Sequence, residues 1–539
     1  MYKHLMVFAL ALSFLNGTAA DINDKSATAF EMAFKNGRLA NEGFQRCQRY
    51  LSGWLQHADS VTGLIPRNLT KDSTIWNAQD AAADNYPFMV LTAALLDRPR
   101  FNGQMLEMLA TEIKLTSRLG SLPDTYSFSK RDFLSDVPDT ARIIFGASEY
   151  IKDGLLPLTE WLGPSPWSER LLNILNDLWY LAPVKTRFGN IVSNSQEING
   201  EMLQTLARIY WMTADEQYLD WATRLGNYYL LGEHHPTKHG TKLRLRDHGC
   251  EIVSGLCEFY ATVCLARPEQ KAVYQKPIET MLDRILEIGR NEHGLFYNII
   301  NPQTGQPINP GVADTWGYTF NGFYTVYLID KIEKYRQATL QALSGLKQHY
   351  HHFDWEHGSA DGYADAIESA LNLYNREPVA EAAQWIDSEI RIMWEKQKSD
   401  GIIEGWHGDG NFARTTLMYC LWKTQGVSVN PWEKELIFGA VQQAGKIFIG
   451  LKSQQKWSGK LMFDTPRHQI HLKLPFDWPR INQFPEWFTV SPEQEYWVMN
   501  VTNDSKEKIS GQKLLTGLDL RLDAGTELCF IIQPIPGGN

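Results

Sequence analysis

Apolar residues recur at three- and four-residue spacing from about residue 27 to residue 425, which is the period of amphipathic helices. Glu201–Tyr210 and Ala366–Tyr374 are typical segments of this pattern. From about residue 445 the pattern changes to short alternating, β-branched and aromatic runs that proline and glycine separate. The runs that predict strands are Lys446–Leu451, Gln469–Leu474, Tyr496–Val501 and Leu528–Ile532. The pattern therefore predicts a large helical domain followed by a C-terminal antiparallel β-sandwich.

Within the helical region, ordinary amphipathic helices alternate with segments in which a polar, glycine-containing turn leads into an apolar helix. The turns of this second kind are Asp80–Tyr86, Asp136–Arg142, Asn194–Glu201, Arg244–Gly249, Asp314–Tyr318, Ser359–Asp365 and Gly405–Asn411. Each turn differs from the others and is rich in carboxylates, amides or aromatic rings, whereas the turns of an α-solenoid repeat a packing consensus. This diversity favours a closed toroid in which the inner helices begin at one mouth. We predict an (α/α)6 toroid of six or seven helical hairpins.

The N-terminus has the order of a secretory signal peptide. Lys3 and His4 precede the apolar stretch Leu5–Leu15, and the small residues Thr18–Ala20 follow it. This stretch is too short to span a bilayer, and no later segment approaches eighteen uninterrupted apolar residues. We predict a signal peptide at residues 1–20, the toroid at 21–435 and the sandwich at 436–539. The protein is predicted to be periplasmic or secreted, without a membrane span once the signal peptide is removed.

Composition narrows the class of partner. A net charge of −10 without a basic run argues against a general nucleic-acid binder. The 18 tryptophans, 22 tyrosines and 24 phenylalanines suit either sugar stacking or a large core. The chain carries no phosphate-binding loop, no nucleophile elbow and no metal-binding cysteine or histidine motif. No cofactor and no metal are predicted.

An exported toroid with polar and aromatic inner turns, followed by a β-sandwich, resembles the six-hairpin glycosidase superfamily. The likeness covers nearly all of the chain after the leader and lies in architecture and turn style rather than in a short motif. Within the superfamily, the chain looks like the family-154 glycoside hydrolases, which are associated with β-glucuronidase activity. The tail from Leu474–Arg480 onward is similar to the sandwich that follows the toroid in β-L-arabinofuranosidases. The resemblance implies an oligosaccharide or polysaccharide substrate.

Glycoside hydrolysis needs two carboxyl groups, one as an acid and one as a base or nucleophile. Glu197 lies in an amide-rich turn, and Glu201 follows one helical turn later, where a second carboxylate could raise its pKa. Asp247 and Asp314 are acids of the following two inner turns, flanked by cationic or aromatic residues. We predict that Glu197 pairs with Asp247 or Asp314 in catalysis. The alternative role of these acids is to stabilise helix N-termini.

Other inner-turn residues are candidates for substrate binding. Arg244 and His248 could bind the carboxylate of an acidic sugar. The further predicted substrate-binding residues are Asp84, Asn85, Tyr86, Trp316, Tyr318, Asp361, Trp406, Asp409 and Arg414. Helix capping or core packing is the alternative role for each of them.

The predicted function is that of an exported, exo-acting glycoside hydrolase. It would cleave an acidic, uronate-containing or plant-derived glycan by carboxylate acid/base catalysis, in the manner of a β-glucuronidase. One alternative is a polysaccharide lyase, in which Tyr318, His248 and Arg244 support β-elimination beside a uronate. Another is a non-catalytic glycan-binding protein, which needs the aromatic rings and amides but no acid pair. The products separate these readings, since only a lyase leaves an unsaturated uronate and a binder leaves the glycan intact.

Overall fold

The computed structural model describes the backbone of residues 5–536 and the side chains of residues 27–536. The predicted signal peptide at residues 1–20 lies outside the residues whose side chains are described. Two compact units are present, and neither follows the predicted boundary near residue 435. The larger unit is made of residues 46–418 and 467–485, and the smaller of residues up to 45, 419–466 and 486 onward.

The larger unit alternates helices that are buried on nearly all sides with helices that bury one face. The nearly buried, inner helices are Tyr86–Leu96, Thr140–Glu149 with Leu156–Leu162, Gln196–Thr213, Glu251–Ala266, Trp316–Asp330, Ala360–Arg376 and, as far as residue 418, Asn411–Thr424. The outer helices are the last turns of Leu5–Gln56, then Leu106–Thr116, Pro166–Leu181, Glu216–Gly226, Lys271–Ile288, Glu333–His349 and Ala380–Glu395. The predicted alternation of outer and inner helices is confirmed.

Shorter elements complete the connections of this unit. The π-helical turns are Ala78–Asn85, Phe101–Met105, Tyr150–Leu155 and Asn227–Leu231, and the 3₁₀ turns are Asp247–Cys250, Pro268–Gln270 and Trp355–Gly358. Two short α-helical segments are Arg98–Arg100 and Arg467–Ile470. Two small antiparallel sheets have three strands each: Ile75–Trp76, Tyr126–Ser127 and Asp132–Phe133 form one, and Leu243–Arg244, Tyr297–Asn301 and Gln306–Val312 form the other. Two further sheets have two strands each: Ser117–Leu119 pairs with Leu122–Pro123, and Val184–Thr186 pairs with Gly189–Ile191.

The inner helices form a closed ring. The last of them meets its predecessor where the Thr415 hydroxyl donates to the carbonyl of Ala364 at 3.0 Å. It meets the first where the Arg414 guanidinium lies 5.8 Å from the ring centre of Phe88. Over the described residues we count seven inner helices, one more than the name of the six-hairpin superfamily implies. The architecture is otherwise that of an α/α toroid.

Glycines allow the third and fourth inner helices to approach closely. A side chain at Gly200 would collide with the backbone of Glu251, and one at Gly255 would collide with the backbone of Gly200. The stretch Asp247–Ala266 is long and apolar enough to cross a membrane by length and composition. Since 89% of its most apolar 18-residue window is buried inside the protein, it has the character of a core helix.

The smaller unit contains two antiparallel sheets. The strands of the five-stranded sheet lie in the order Leu436–Gln443, Lys446–Ser453, Glu527–Pro534, Glu495–Asn500 and Ser505–Ser510. The three-stranded sheet has the order Ser428–Asn430, Trp457–Met462 and Leu518–Leu522, and a short helix spans Gly511–Thr516. Residues 27–45 of the long first helix pack on the larger sheet, where Phe30 meets Phe448 and Phe44 stacks on Phe438, each with ring centroids 5.6 Å apart. The N-terminal helix therefore belongs to this unit through residue 45.

The predicted strand at Gln469–Leu474 is wrong. These residues belong to the inserted segment 467–485, which packs within the ring of helices rather than in a sheet. Leu472 and Leu474 are buried beside Trp478 because these apolar side chains pack against one another and against partly buried residues of the ring. The Arg480 guanidinium forms a buried ion pair with Glu160 at 2.6 Å. These contacts hold the segment against the helices of the ring.

Candidate active site

Residues of the inner helices and of the turns that connect them surround a cavity of about 420 Å³. Its charged lining residues are Arg67, Asp80, Asp84, Glu149, Lys152, Asp153, Asp247, His248, Glu251, Glu356, Asp361, Asp365, His407 and Arg414. Carboxylates outnumber cations in this set, so the cavity concentrates groups that can exchange protons. The described residues thus place acids from distant parts of the chain in one site.

Asp84 and His407 form one wall of the cavity. Asp84 lies in the π-helical turn Ala78–Asn85, and the Nε2 atom of His407 lies 3.5 Å from its Oδ2 atom and 3.9 Å from Oδ1 of Asp80. Burial raises the pKa of Asp84 to about 7, with His407 opposing the shift. Burial lowers the pKa of His407, but Asp84 and Asp80 outweigh that effect and raise it to about 9. Asp84 can therefore hold a proton near neutral pH.

Asp153 lies on the second inner helix, and one of its two carboxyl oxygens accepts hydrogen bonds. Its Oδ1 atom accepts hydrogen bonds from Nζ of Lys152 at 2.7 Å and from Nδ2 of Asn482 at 2.6 Å. Burial alone would raise the pKa of Asp153, but Lys152 and His248 outweigh it and lower the pKa. Its Oδ2 atom has no hydrogen-bond partner among the described residues. Asp153 therefore presents an ionised carboxylate whose buried Oδ2 atom lies 3.9 Å from Nδ1 of His248.

The opposite wall is a closed hydrogen-bonded network. The Tyr318 hydroxyl donates to Glu368 at 2.6 Å and lies 3.0 Å from Asp365. Arg414 bonds Asp365 at 2.7 Å and Glu368 at 2.9 Å, and its other amino group donates to Asn482 at 2.8 Å. Because each of these groups already has a partner, this wall holds the cavity's shape rather than offering a base.

An aromatic platform stands at the rim. Trp406 is 70% exposed, although it is a large apolar side chain. The Arg67 guanidinium lies 5.5 Å and the Lys71 ammonium 5.2 Å from the centre of its ring. A flat ring beside two cations can stack on a sugar and attract an anionic group.

The structure brings many of the predicted site residues to the cavity. Those that line it are Asp84, Asp247, His248, Tyr318, Asp361, Trp406 and Arg414. Asp409 lines a neighbouring cavity of about 340 Å³ instead. Glu197 does not line the main cavity, but it lies beside His248 and two other glutamates. Asp314 is buried next to the lining residue Thr315 without lining the cavity itself.

Four predicted binding residues lie elsewhere than expected. The Tyr86 hydroxyl donates to the carbonyl of Met105, away from the cavity, and Trp316 is 0% exposed in the aromatic core. Asn85 is buried against Tyr50, and Arg244 forms an ion pair with Asp247 outside the lining. Tyr86 and Trp316 each lie two residues from a lining position, and two residues turn an α-helix by about 200°. Tyr86, Trp316 and Asn85 do not line the cavity because their side chains point to other faces, and Arg244 is held by Asp247 at its edge.

Sequence reasoning missed the charged residues inside the second inner helix. Glu149, Lys152 and Asp153 lie about two to three turns beyond the predicted turn Asp136–Arg142, where Asp139 merely caps the helix. Ionised groups inside a long apolar helix are costly to bury, and that is the signal that could have identified them. Asn482 carried no such local signal, because its role depends on a segment distant in the chain.

Replacement of Asp314 by asparagine should stabilise the protein only at higher pH. Burial, then Asp365 and Glu356, raise the pKa of Asp314 to about 7. Because the folded pKa exceeds the unfolded one, the stabilising contribution of this carboxyl is lost as pH rises from about 4 to about 7. The asparagine side chain cannot ionise and keeps the bond from the Thr315 amide. Urea denaturation should show a gain of about 1–3 kcal/mol at pH 8 and little change at pH 4.5; equal effects at both pH values would contradict this.

No protein-family model matches the chain, and no curated protein matches it. Solved structures do resemble it. An α-1,6-mannanase from a Salegentibacter species is 11% identical over 70% of this chain and 98% of its own, with a TM-score of 0.40. A possible member of family GH105 from Salmonella enterica is 14% identical over 52% of this chain and 81% of its own, with a TM-score of 0.38.

A third similar structure is a cellobiose 2-epimerase from Bacillus thermoamylovorans. It is 10% identical over 49% of this chain and 85% of its own, with a TM-score of 0.37. At such low identities and scores, the chemistry has to be judged from the cavity's own residues. The narrower likeness to the family-154 enzymes stays a prediction.

Proposed function

We propose that the protein is an exported glycoside hydrolase that acts on an acidic glycan. The observation that carries the proposal is the presence in one cavity of two carboxyl groups in opposite environments. Burial raises the pKa of Asp84 to about 7, so that it carries a proton for part of the time at neutral pH, whereas Lys152 and His248 lower the pKa of Asp153 and keep it ionised. Carboxyl groups whose surroundings separate their protonation states are the acid and base of glycosidases.

Each carboxyl group has a role that follows from its surroundings. Asp84 donates its proton to the glycosidic oxygen of the leaving group, and His407 holds the carboxyl group at the cavity wall. Asp153 uses its unbonded Oδ2 atom as the base or nucleophile at the anomeric carbon. The positive charge that develops on the sugar ring is stabilised by the acidic lining around it.

The proposed acidic substrate is supported by residues at the rim of the cavity rather than by Arg244, which was predicted to bind the carboxylate of the sugar. Arg244 does not line the cavity, whereas Lys71 and Arg67, the latter also ion-paired with Asp72 and Asp80, both lie against the exposed ring of Trp406. A uronate would stack on this ring and place its carboxylate beside the two cations. Cleavage of a uronate-containing oligosaccharide, as by a β-glucuronidase, is therefore the proposed reaction.

The lyase alternative finds no support at Tyr318. Burial raises the pKa of its hydroxyl well above the usual value, and the hydroxyl already donates to Glu368. A phenol in this state is a poor base for abstracting a proton from a sugar carbon. With Arg244 paired to Asp247, neither of these two lyase groups is free for that role.

The rate of hydrolysis should fall as pH rises above about 7. Asp84 is active as an acid only in its protonated form, and its pKa is raised to about 7. The logarithm of kcat/KM should therefore decrease with a slope near −1 above that pH. Release of new reducing ends from uronate oligosaccharides, measured from pH 5 to pH 9, tests this. A rate that keeps rising through pH 9 would remove Asp84 from the role of acid.

A further inference from the structure

Four side chains converge beside the cavity into a cluster that contains neither the proposed acid nor the proposed base. Glu149 ends the second inner helix, Glu197 and Glu201 lie one turn apart on the third, and His248 precedes the fourth. One oxygen or nitrogen atom from each of them lies within 4.8 Å of the corresponding atoms of the other three. We call these four residues the Glu149 cluster.

Glu201 provides a second observation that points to a missing ligand. Its side chain is 0% exposed, and neither of its carboxyl oxygens has a hydrogen-bond partner among the described residues. The Oε1 atom of Glu149, which is 2% exposed, is also unpartnered there. Buried polar atoms are almost always paired, because an unpaired one loses its hydration without compensation. A cation bound among these side chains would supply the missing partner for the unbonded oxygens.

Neighbouring cations in the described part of the chain do not neutralise the cluster. The buried ammonium of Lys152 is bonded to Asp153 and Glu251. Three glutamates thus face a single imidazole, whose Nδ1 atom lies 3.5 Å from Glu149 and 3.9 Å from Asp153. The other imidazole nitrogen lies 3.6 Å from Asp247, which resembles the carboxylate that orients a metal-binding histidine through its second nitrogen.

We propose that the Glu149 cluster binds a divalent transition-metal ion. Three carboxylates and one imidazole suit Mn²⁺ or Zn²⁺ better than an all-oxygen ion such as Ca²⁺. Bonds of about 2.0–2.2 Å place opposite ligands at most about 4.4 Å apart, so small side-chain rotations bring the four atoms into range. The ion neutralises Glu201 and ties three inner helices together at the cavity wall.

The site goes beyond the proposed function, because neither Asp84 nor Asp153 is one of its ligands. Metal binding can be measured without a substrate, so the two proposals fail separately. Asp84→Asn should lose hydrolysis and still bind the ion. A protein that binds the ion but cleaves no glycan would leave the site in place and remove the proposed reaction.

The test is titration of the chelator-treated full-length protein with MnCl₂, ZnCl₂ and CaCl₂ by isothermal calorimetry. We expect one Mn²⁺ or Zn²⁺ per chain, with Ca²⁺ bound more weakly, and an altered Mn²⁺ electron paramagnetic resonance spectrum. Glu201→Gln should weaken the affinity about 100-fold or more, since even residues that only orient ligands contribute 10–100-fold. The matched control is Asp361→Asn, which removes a cavity carboxylate outside the cluster and should change the affinity less than about twofold.

Two further measurements keep the test decisive. Circular dichroism and cooperative urea unfolding show whether Glu201→Gln folds, and Glu197→Gln supplies a partly exposed ligand whose loss the fold tolerates. Either variant, if folded, must bind more weakly than the wild type. The proposal is overturned if the wild type binds neither Mn²⁺ nor Zn²⁺, if Ca²⁺ binds as tightly, or if Asp361→Asn weakens binding as much as the cluster variants do.

Discussion

Replacement of Asp84 by asparagine is expected to lower kcat on a uronate oligosaccharide by about 10²–10⁴-fold, the usual contribution of a general acid. Asparagine keeps the size of the side chain but carries no proton that it can give to the leaving oxygen. Because Asp84 is buried with a raised pKa, the wild-type protein gains little stability from its charge. The variant should therefore fold, and KM should change less than kcat.

The matched control is Asp139→Asn. Asp139 is exposed and caps an inner helix by accepting a hydrogen bond from the Arg142 amide, a role that asparagine fills equally well. Steady-state kinetics should show wild-type kcat for this variant. An Asp84→Asn enzyme with half the wild-type rate would show that another group supplies the proton.

Replacement of Arg480 by alanine is expected to lower the free energy of unfolding by about 3–5 kcal/mol. Arg480 is 0% exposed, and its guanidinium bonds Glu160 through two nitrogens, at 2.6 and 3.3 Å. Its removal leaves the buried Glu160 carboxylate without this partner, which is far more costly than losing an exposed ion pair. Urea denaturation of the full chain measures the loss.

Two controls separate the buried pair from general effects. Glu287→Gln breaks the exposed pair between Arg284 and Glu287 and should cost less than about 1 kcal/mol. The double variant Glu160→Gln with Arg480→Met removes both charges and should recover much of the stability. If Arg480→Ala costs no more than Glu287→Gln, the inserted segment 467–485 does not hold the ring in the way described.

The helical ring was predictable because its signals are local. Helical periodicity marks each inner helix, and polar residues such as Asp84 and Asp361 mark where these helices begin. The direction of each side chain was harder to predict from the sequence, since Tyr318 faces the cavity while Trp316, two positions earlier, faces the core. A turn that mixes both kinds of residue does not tell which of them points inward.

The inserted segment shows where sequence reasoning stops. Asn482 donates to Asp153 and accepts from Arg414, so it helps to set the charge of the proposed base. Its partners lie 329 and 68 residues away along the chain. No local pattern encodes such pairings, because they exist only once segment 467–485 has entered the ring.

The most direct test of the central claim is cleavage of a panel of uronate-containing oligosaccharides in oxygen-18 water, followed by mass spectrometry of the products. A glycoside hydrolase adds one solvent oxygen for each bond that it cleaves, and we predict this incorporation for the wild type and its near absence for Asp84→Asn. Products that carry an unsaturated uronate and no solvent oxygen, or an uncleaved panel, would contradict the proposed hydrolysis.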